Sequence, residues 1–169
     1  MSTIHSVHER TIAAPSATVG ALLDRVSSDS DPLWPAPSWP PIRFDRPLSV
    51  GADGGHGPIR YQVTEYEPGR RIRFEFDPAS GIEGHHELTV EPSASDRCVM
   101  RHELEGAARG AALLKWTCVV RWLHDALIED LFDNAEQVAT GEVVHPSRWS
   151  LWVRLLRPVV ARAAPSRGR

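Results

Sequence analysis

The chain has 169 residues and a mass of 18.7 kDa, with 41% hydrophobic and 24% charged residues. That length suits one domain with a short appendage, and that composition excludes a disordered chain, a collagen-like repeat and a membrane bundle. The net charge of -3 is unevenly spread: residues 143–169 hold six arginines and no acid, so the preceding body carries -9. An acidic body repels a polyanion, and no nucleic-acid partner is expected. Cys98 and Cys118 stand in no CxxC or CxxH spacing and are too few for a disulfide framework. The opening MSTIHSVHER lacks a basic stretch followed by an apolar run, and no segment reaches ~18 uninterrupted apolar residues. A cytoplasmic protein is expected.

In chain order, Ile4, Val7 and Ile12 predict a strand whose phase slips once. Ala14-Pro15-Ser16 then turns the chain into a helix with Val19, Leu22, Leu23 and Val26 at helical spacing. Residues 29–41, DSDPLWPAPSWPP, are too rich in proline for regular structure. Gly54-Gly55-His56-Gly57-Pro58 has too much glycine for a strand and predicts a tight turn or bulge. From Pro58 to Tyr66 the chain alternates, with Ile59, Tyr61 and Val63 on one side. Pro68-Gly69 makes a turn, and Ile72, Phe74 and Phe76 line the same side of the returning strand. Another hairpin joins 84–91 to 98–105 through the loop 92–97. From about Arg109 to Thr140 the period is helical. Leu113, Trp116, Thr117, Val120, Leu123, His124, Leu127, Leu131 and Val138 share one face, and Asp125, Glu129, Asp133 and Glu136 form an opposite, solvated one.

This order predicts an α+β fold: a curved antiparallel sheet of six to seven strands around one long C-terminal helix, with a small N-terminal helix. The long helix is the only element large enough to cover the apolar face of the sheet, and a pocket is expected between them. The domain is placed at 1–142 and a basic amphipathic tail at 143–169.

The strand leading into IAAPSATVGALL (Ile12–Leu23), the segment YEPGRRIRFEF (Tyr66–Phe76) and the closing long helix resemble the START-like, SRPBCC superfamily, which includes polyketide cyclase/dehydrase-like proteins. The resemblance covers about residues 3–141. It implies a helix-grip fold and an apolar cavity for a lipid, polyketide or other hydrophobic small molecule. It does not imply catalysis, since the same fold hosts carriers, cyclases and regulators.

The residues expected to bind ligand are Tyr61, Phe74, Phe76, His86, Leu88, Met100, His102, Trp116, Val120, His124 and Leu127, with Leu113 also in the roof. In the hairpin 84–105, placing Val90 opposite Cys98 sets Leu88 opposite Met100 and His86 opposite His102, all on the apolar face. His124 lies on the inward stripe of the long helix. Three inward histidines admit three readings: neutral pocket residues, a general acid or base for a cyclase/dehydrase-type step, or a three-histidine zinc or iron site. The last lacks HxH or HExxH spacing, and neither a metal nor a cofactor is expected. His56 reads as a ligand contact or an exposed turn residue. Trp34 and Trp39, held between prolines, read as a stiff lid or as packing on the first helix. Cys98 points inward and Cys118 outward, and no GxSxG elbow is present.

In the tail RWSLWVRLLRPVVARAA (Arg148–Ala164), a helix would gather Trp149, Trp152, Leu156, Val159 and Ala163 opposite Arg154 and Arg157, with a kink at Pro158. Tryptophan with arginine suits a peripheral membrane contact. The same face could pack on its own domain or make a homodimer. Deleting residues 146–169 is expected to leave the fold intact.

Overall fold

The computed structural model describes residues 2–36 and 38–163, with side chains as far as Pro158. Strands β1 (Ser2–Ile12), β2 (Ile42–Phe44), β3 (Asp53–His56), β4 (Ile59–Glu67), β5 (Arg71–Phe76), β6 (Ile82–Ala94) and β7 (Arg97–Ala108) form one antiparallel seven-stranded sheet in the order β1-β7-β6-β5-β4-β3-β2. Helix α1 (Ser16–Leu23) follows β1 and buries Val19, Leu22 and Leu23. The long helix runs as α2 (Gly110–Lys115), a π-helical segment (Trp116–Val120) and α3 (Arg121–Thr140), and it ends at Gly141 in a left-handed cap. Helix α4 (Leu151–Ala163) belongs to the tail. The expected α+β helix-grip architecture is present.

Several local expectations are corrected. The phase of β1 does not slip: Ile4, Ser6, His8, Arg10 and Ile12 face inward, and Val7 faces out. The polar members of that row meet acidic side chains of α3, which is why hydropathy alone misreads the phase. The glycine-rich stretch does form a strand. Gly55 has φ +145°, and a Cβ there would lie 1.9 Å from the Ile59 carbonyl oxygen, so β3 can pair this closely only without a side chain. The last hairpin is longer than expected, its strands running to Ala94 and Arg97 past an irregularity between Pro92 and Ala94. Its register is shifted by two residues, with Val90 opposite Met100, Leu88 opposite His102 and His86 opposite Leu104. A two-residue shift preserves the faces, so every side chain expected inside remains inside.

Two residues assigned to the inward stripe of the long helix are exposed. Thr117 lies in the π segment, whose wider turn rotates it outward, and its Oγ1 donates to the Leu113 carbonyl at 2.9 Å. Val138 is 51% exposed. A seven-residue step from Leu131 drifts ~20° around a straight helix, and Ala135 holds the inward position instead.

The acidic face of α3 is ion-paired to β1 rather than free in solvent. Arg10 donates to Asp133 at 2.7 Å, Glu136 at 3.1 Å and Glu129 at 2.9 Å, and the Glu136 side chain is only 8% exposed. Asp130 accepts from Trp39 Nε1 at 2.7 Å, Ser147 Oγ at 2.7 Å and Trp149 Nε1 at 2.9 Å. The helix is therefore gripped on both sides, apolar side chains toward the sheet centre and ion pairs toward β1.

The tail packs on its own domain. Val153 is buried in a cluster with Trp39 and Leu127, and Trp149 packs on the edge of that cluster. Arg157 lies 4.3 Å over the Trp149 ring and donates to the Ser38 carbonyl at 2.7 Å, so it belongs to the packed side rather than the opposite one. Trp152 is 46% exposed and so lies off that side, while the side chains of Val159 and Ala163 lie outside those described.

Candidate functional site

The sheet and the long helix enclose a cavity of about 410 Å³, within the usual span of about 300–1,000 Å³ for small-molecule sites. Tyr61 reaches it from β4, Phe74 and Phe76 from β5, and Leu88 from β6. Trp116, Val120 and Leu127 roof it from the long helix. Ten of the eleven side chains expected to bind ligand thus line one space. Met100 does not. It is fully buried in the core beneath the sheet face, and Leu113 packs beside Trp116 without lining the cavity. A second hollow of about 450 Å³ lies between the tail and Pro35, Ala36 and Ser38. It opens broadly to the surface, and its Asp130 is already engaged by Ser147 and the two tryptophans.

The three expected histidines converge. His86 Nδ1 and His102 Nε2 are 3.2 Å apart, their ring centroids separated by 5.4 Å. The His102 and His124 centroids are 4.9 Å apart. The two-residue shift makes His86 and His102 diagonal rather than directly opposed, yet imidazoles span that gap. His86 Nε2, His102 Nδ1 and His124 Nε2 are buried and have no hydrogen-bond partner among the described residues. Burial holds all three pKa values below the ordinary histidine value; for His86 and His102 the neighbouring imidazoles add to it, and for His124 the Asp125 carboxylate partly offsets it. All three are neutral at pH 7.

Tautomer logic restricts what this pair can offer. One proton lies between His86 Nδ1 and His102 Nε2. If His86 donates it, His86 Nε2 is a bare acceptor and His102 Nδ1–H is a donor. If His102 donates it, the roles reverse. In either state the pair keeps one free donor and one free acceptor, buried in side chains that line the cavity.

Four neighbours of this centre were signalled in the sequence weakly or not at all. His56 is no exposed turn residue: it lines the cavity, its Nδ1 lies 3.0 Å from the Tyr61 hydroxyl, and burial pulls its pKa down to about 4. Trp34 packs on the His56 ring at 5.0 Å, and Trp34 and Trp39 both line the cavity, so the proline-rich segment forms one of its walls. His8 gave no inward signal, because the phase of β1 was misread. It stands directly across the strand pair from His102, with Nδ1 2.8 Å from Glu129 and Nε2 3.2 Å from Asp125. Hydrogen bonds to Asp125 and then Glu129 push its pKa up to about 9. A charged histidine thus sits one strand spacing from neutral ones, divided by which carboxylates each can reach.

Residues 3–140 match the family model described as polyketide cyclase / dehydrase and lipid transport. The chain belongs to that family, within the START-like, SRPBCC superfamily. Truncated norcoclaurine synthase from Thalictrum flavum superposes with a TM-score of 0.66 at 12% identity, covering 84% of this chain and 96% of that one. A solution structure of a protein from Thermobifida fusca gives 0.60 at 20% identity, covering 87% and 100%. CalU16 from Micromonospora echinospora gives 0.57 at 14% identity, covering 95% and 85%. At these identities the likeness shows the fold alone. No curated protein matches the sequence.

In this member of the polyketide cyclase / dehydrase and lipid transport family, the metal reading of the three inward histidines lacks support. Among the described residues, the groups whose donor atoms approach within 4.8 Å are His8, His124 and Asp125, and His5, Glu103 and Glu105. The first is accounted for by charge pairing around protonated His8. Cys98 is buried, which raises its pKa, and Cys118 is exposed on the outer side of the helix.

Proposed function

We propose that the protein binds a neutral, largely apolar small molecule that carries a hydrogen-bonding polar end. The observation that carries this reading is the set of buried nitrogens of His86, His102 and His124 that lack a partner among the described residues, on side chains that line a mostly apolar cavity. A buried polar atom without a partner costs about 1–3 kcal/mol, so a ligand hydroxyl or carbonyl placed there recovers that cost on binding. A charge placed at the imidazoles fits poorly, because they are neutral and Lys115, exposed to solvent, is the charged side chain among the lining residues. The family description, which names both polyketide chemistry and lipid transport, agrees with an apolar ligand and leaves its identity open.

The test uses a pair of probes of similar size, 1-naphthol and naphthalene, followed by quenching of tryptophan fluorescence, since Trp34, Trp39 and Trp116 line the cavity. Both should bind saturably, with 1-naphthol favoured about 10-fold, one hydrogen bond being worth about 1.4 kcal/mol here. His102→Phe should abolish the preference, and Leu127→Trp, which fills the space, should abolish binding. Failure of the folded wild-type protein to take up either probe overturns the reading.

The His86–His102 contact supports a second reading, in which the pair acts as acid and base at once. A ligand proton accepted at one outer nitrogen, passed across the 3.2 Å contact and released from the other moves between two ligand atoms without leaving a charge in the cavity. Accelerated ketonisation of an enolic probe such as benzoylacetone, lost in His102→Gln, separates this from binding alone.

A further inference from the structure

The long helix shows the cavity one face and solvent the other along the same two turns. Trp116, Val119, Val120 and Leu123 line the cavity, while Leu114, Cys118 and Trp122 are exposed on the outside. The tail extends that outer face. Trp152 Nε1 donates to the Cys118 carbonyl at 3.0 Å, which seats α4 beside the π segment. With Val153 turned in, Leu151 (77% exposed) and Leu155 (65% exposed) turn out beside Trp152. Leu114, Trp122, Leu151, Trp152 and Leu155 thus form an exposed apolar surface of the kind that marks a contact site.

Its charge identifies the occupant. The exposed basic side chains of these segments are Lys115 and Arg121 on the long helix and Arg148 and Arg154 on the tail; Arg121 lies 5.3 Å from the Trp122 ring and 3.9 Å from Asp125, and the two tail arginines border the hollow that holds Asp130 and Asp133. They belong to a chain whose remaining body is acidic, and the tail itself contains no acidic residue. Leucines and tryptophans rimmed by arginine and lysine complement a leaflet with anionic headgroups over an apolar interior. A second copy of this chain would bring the same positive charges together.

We infer that α4 and the outer face of the π segment dock this protein on an anionic lipid surface. Docking sets the wall of the cavity against the membrane, where a poorly water-soluble ligand can be taken up or delivered. The π segment, whose backbone hydrogen bonding departs from that of the flanking helix, lies between the two and is the part of the roof placed to open. The inference does not rest on what the cavity holds, so vesicle binding and probe uptake can fail separately.

Full-length protein is sedimented with vesicles of phosphatidylcholine alone and of phosphatidylcholine with roughly one quarter phosphatidylglycerol. Binding should be confined to the mixed vesicles and should weaken as salt rises from about 0.1 to 1 M. Arg148→Gln with Arg154→Gln should lower the affinity about 30-fold, the factor expected for two basic side chains at an anionic leaflet. Leu151→Ser with Leu155→Ser should lower it by about 10-fold or more while leaving the melting temperature unchanged, because neither leucine is buried. No binding to either vesicle, or binding indifferent to both pairs of substitutions, overturns the inference. So does a wild-type dimer that the leucine substitutions dissociate without any vesicle binding, which would assign the surface to a second copy.

Discussion

Arg10 shows how a strand residue can be structural without being apolar. Its guanidinium is half-enclosed between β1 and α3 and contacts three carboxylates, Glu129, Asp133 and Glu136. Removing one partner from such a cluster leaves the others desolvated and mutually repelling, a loss of about 3–5 kcal/mol. Arg10→Met should therefore cost about that much in urea denaturation at pH 7, although methionine keeps most of the packing. The double variant Arg10→Met, Glu136→Gln should recover part of the loss by removing the most buried carboxylate. A cost below ~1 kcal/mol for the single change would show the network to be a solvated surface array. The sequence disclosed every residue of this network but not its place. Ser6, His8 and Arg10 look like an outward row because they are polar, and only the acidic stripe of α3 makes them an inward one. The inward histidines were legible for the opposite reason: His86 and His102 share their strands with Leu88, Met100 and Leu104, and the apolar neighbours fixed the face.

At the level of elements, periodicity was a good guide to which elements form, though not to the phase of each. Strands β4 and β5, helix α1 and the extent of the long helix follow from alternation, turns and spacing. The failures fall partly in regular backbone, at β1 and Val138, and partly where geometry departs from the ideal. The π segment exposes Thr117, the glycines of β3 permit a pairing that composition argued against, and the bulge near Pro92 resets the hairpin register without changing its faces. The tail is the largest departure. Its change of charge suggested an independent appendage, yet Trp149, Val153 and Arg157 cover Trp39 and Leu127, two cavity-lining residues. Deleting residues 146–169 would uncover Val153's cluster and strip Asp130 of Ser147 and Trp149. Loss of one fully buried aliphatic contact alone is worth about 2 kcal/mol, or about 4–8 °C for a chain of this size. Calorimetry of the truncated chain should show at least that drop. An unchanged melting temperature would mean that α4 sits on the domain without stabilising it.

Across the whole molecule, the histidines divide into two populations that pull stability in opposite directions with pH. In the cavity, His56, His86, His102 and His124 have pKa values below the unfolded value of 6.5, mainly through burial. The unfolded chain protonates these groups first as pH falls below 6.5, so their contribution is present above 6.5 and declines below it. His8 has the reverse sign. Its folded pKa of about 9 means that its pairing with Asp125 and Glu129 contributes fully below 6.5 and is lost as pH rises toward 9. Glu129 and Asp125, whose pairing with His8 and its neighbours outweighs the opposing effect of burial, have lowered pKa values and add a further loss below about 4.5. Each group changes stability by at most about 1.4 kcal/mol per pH unit, and four cavity histidines outweigh one. The melting temperature should therefore be highest near pH 6.5–7, fall steeply toward pH 5 and fall gently toward pH 9. His8→Gln should flatten the alkaline limb and leave the acid limb in place, whereas His102→Phe should make the acid limb shallower. A profile level from pH 5 to 7 would contradict the burial of neutral imidazoles on which the ligand site depends. Probe affinity should instead hold along this limb for as long as the protein stays folded, because the cavity histidines take up a proton only below their lowered folded pKa values, about 4 for His56.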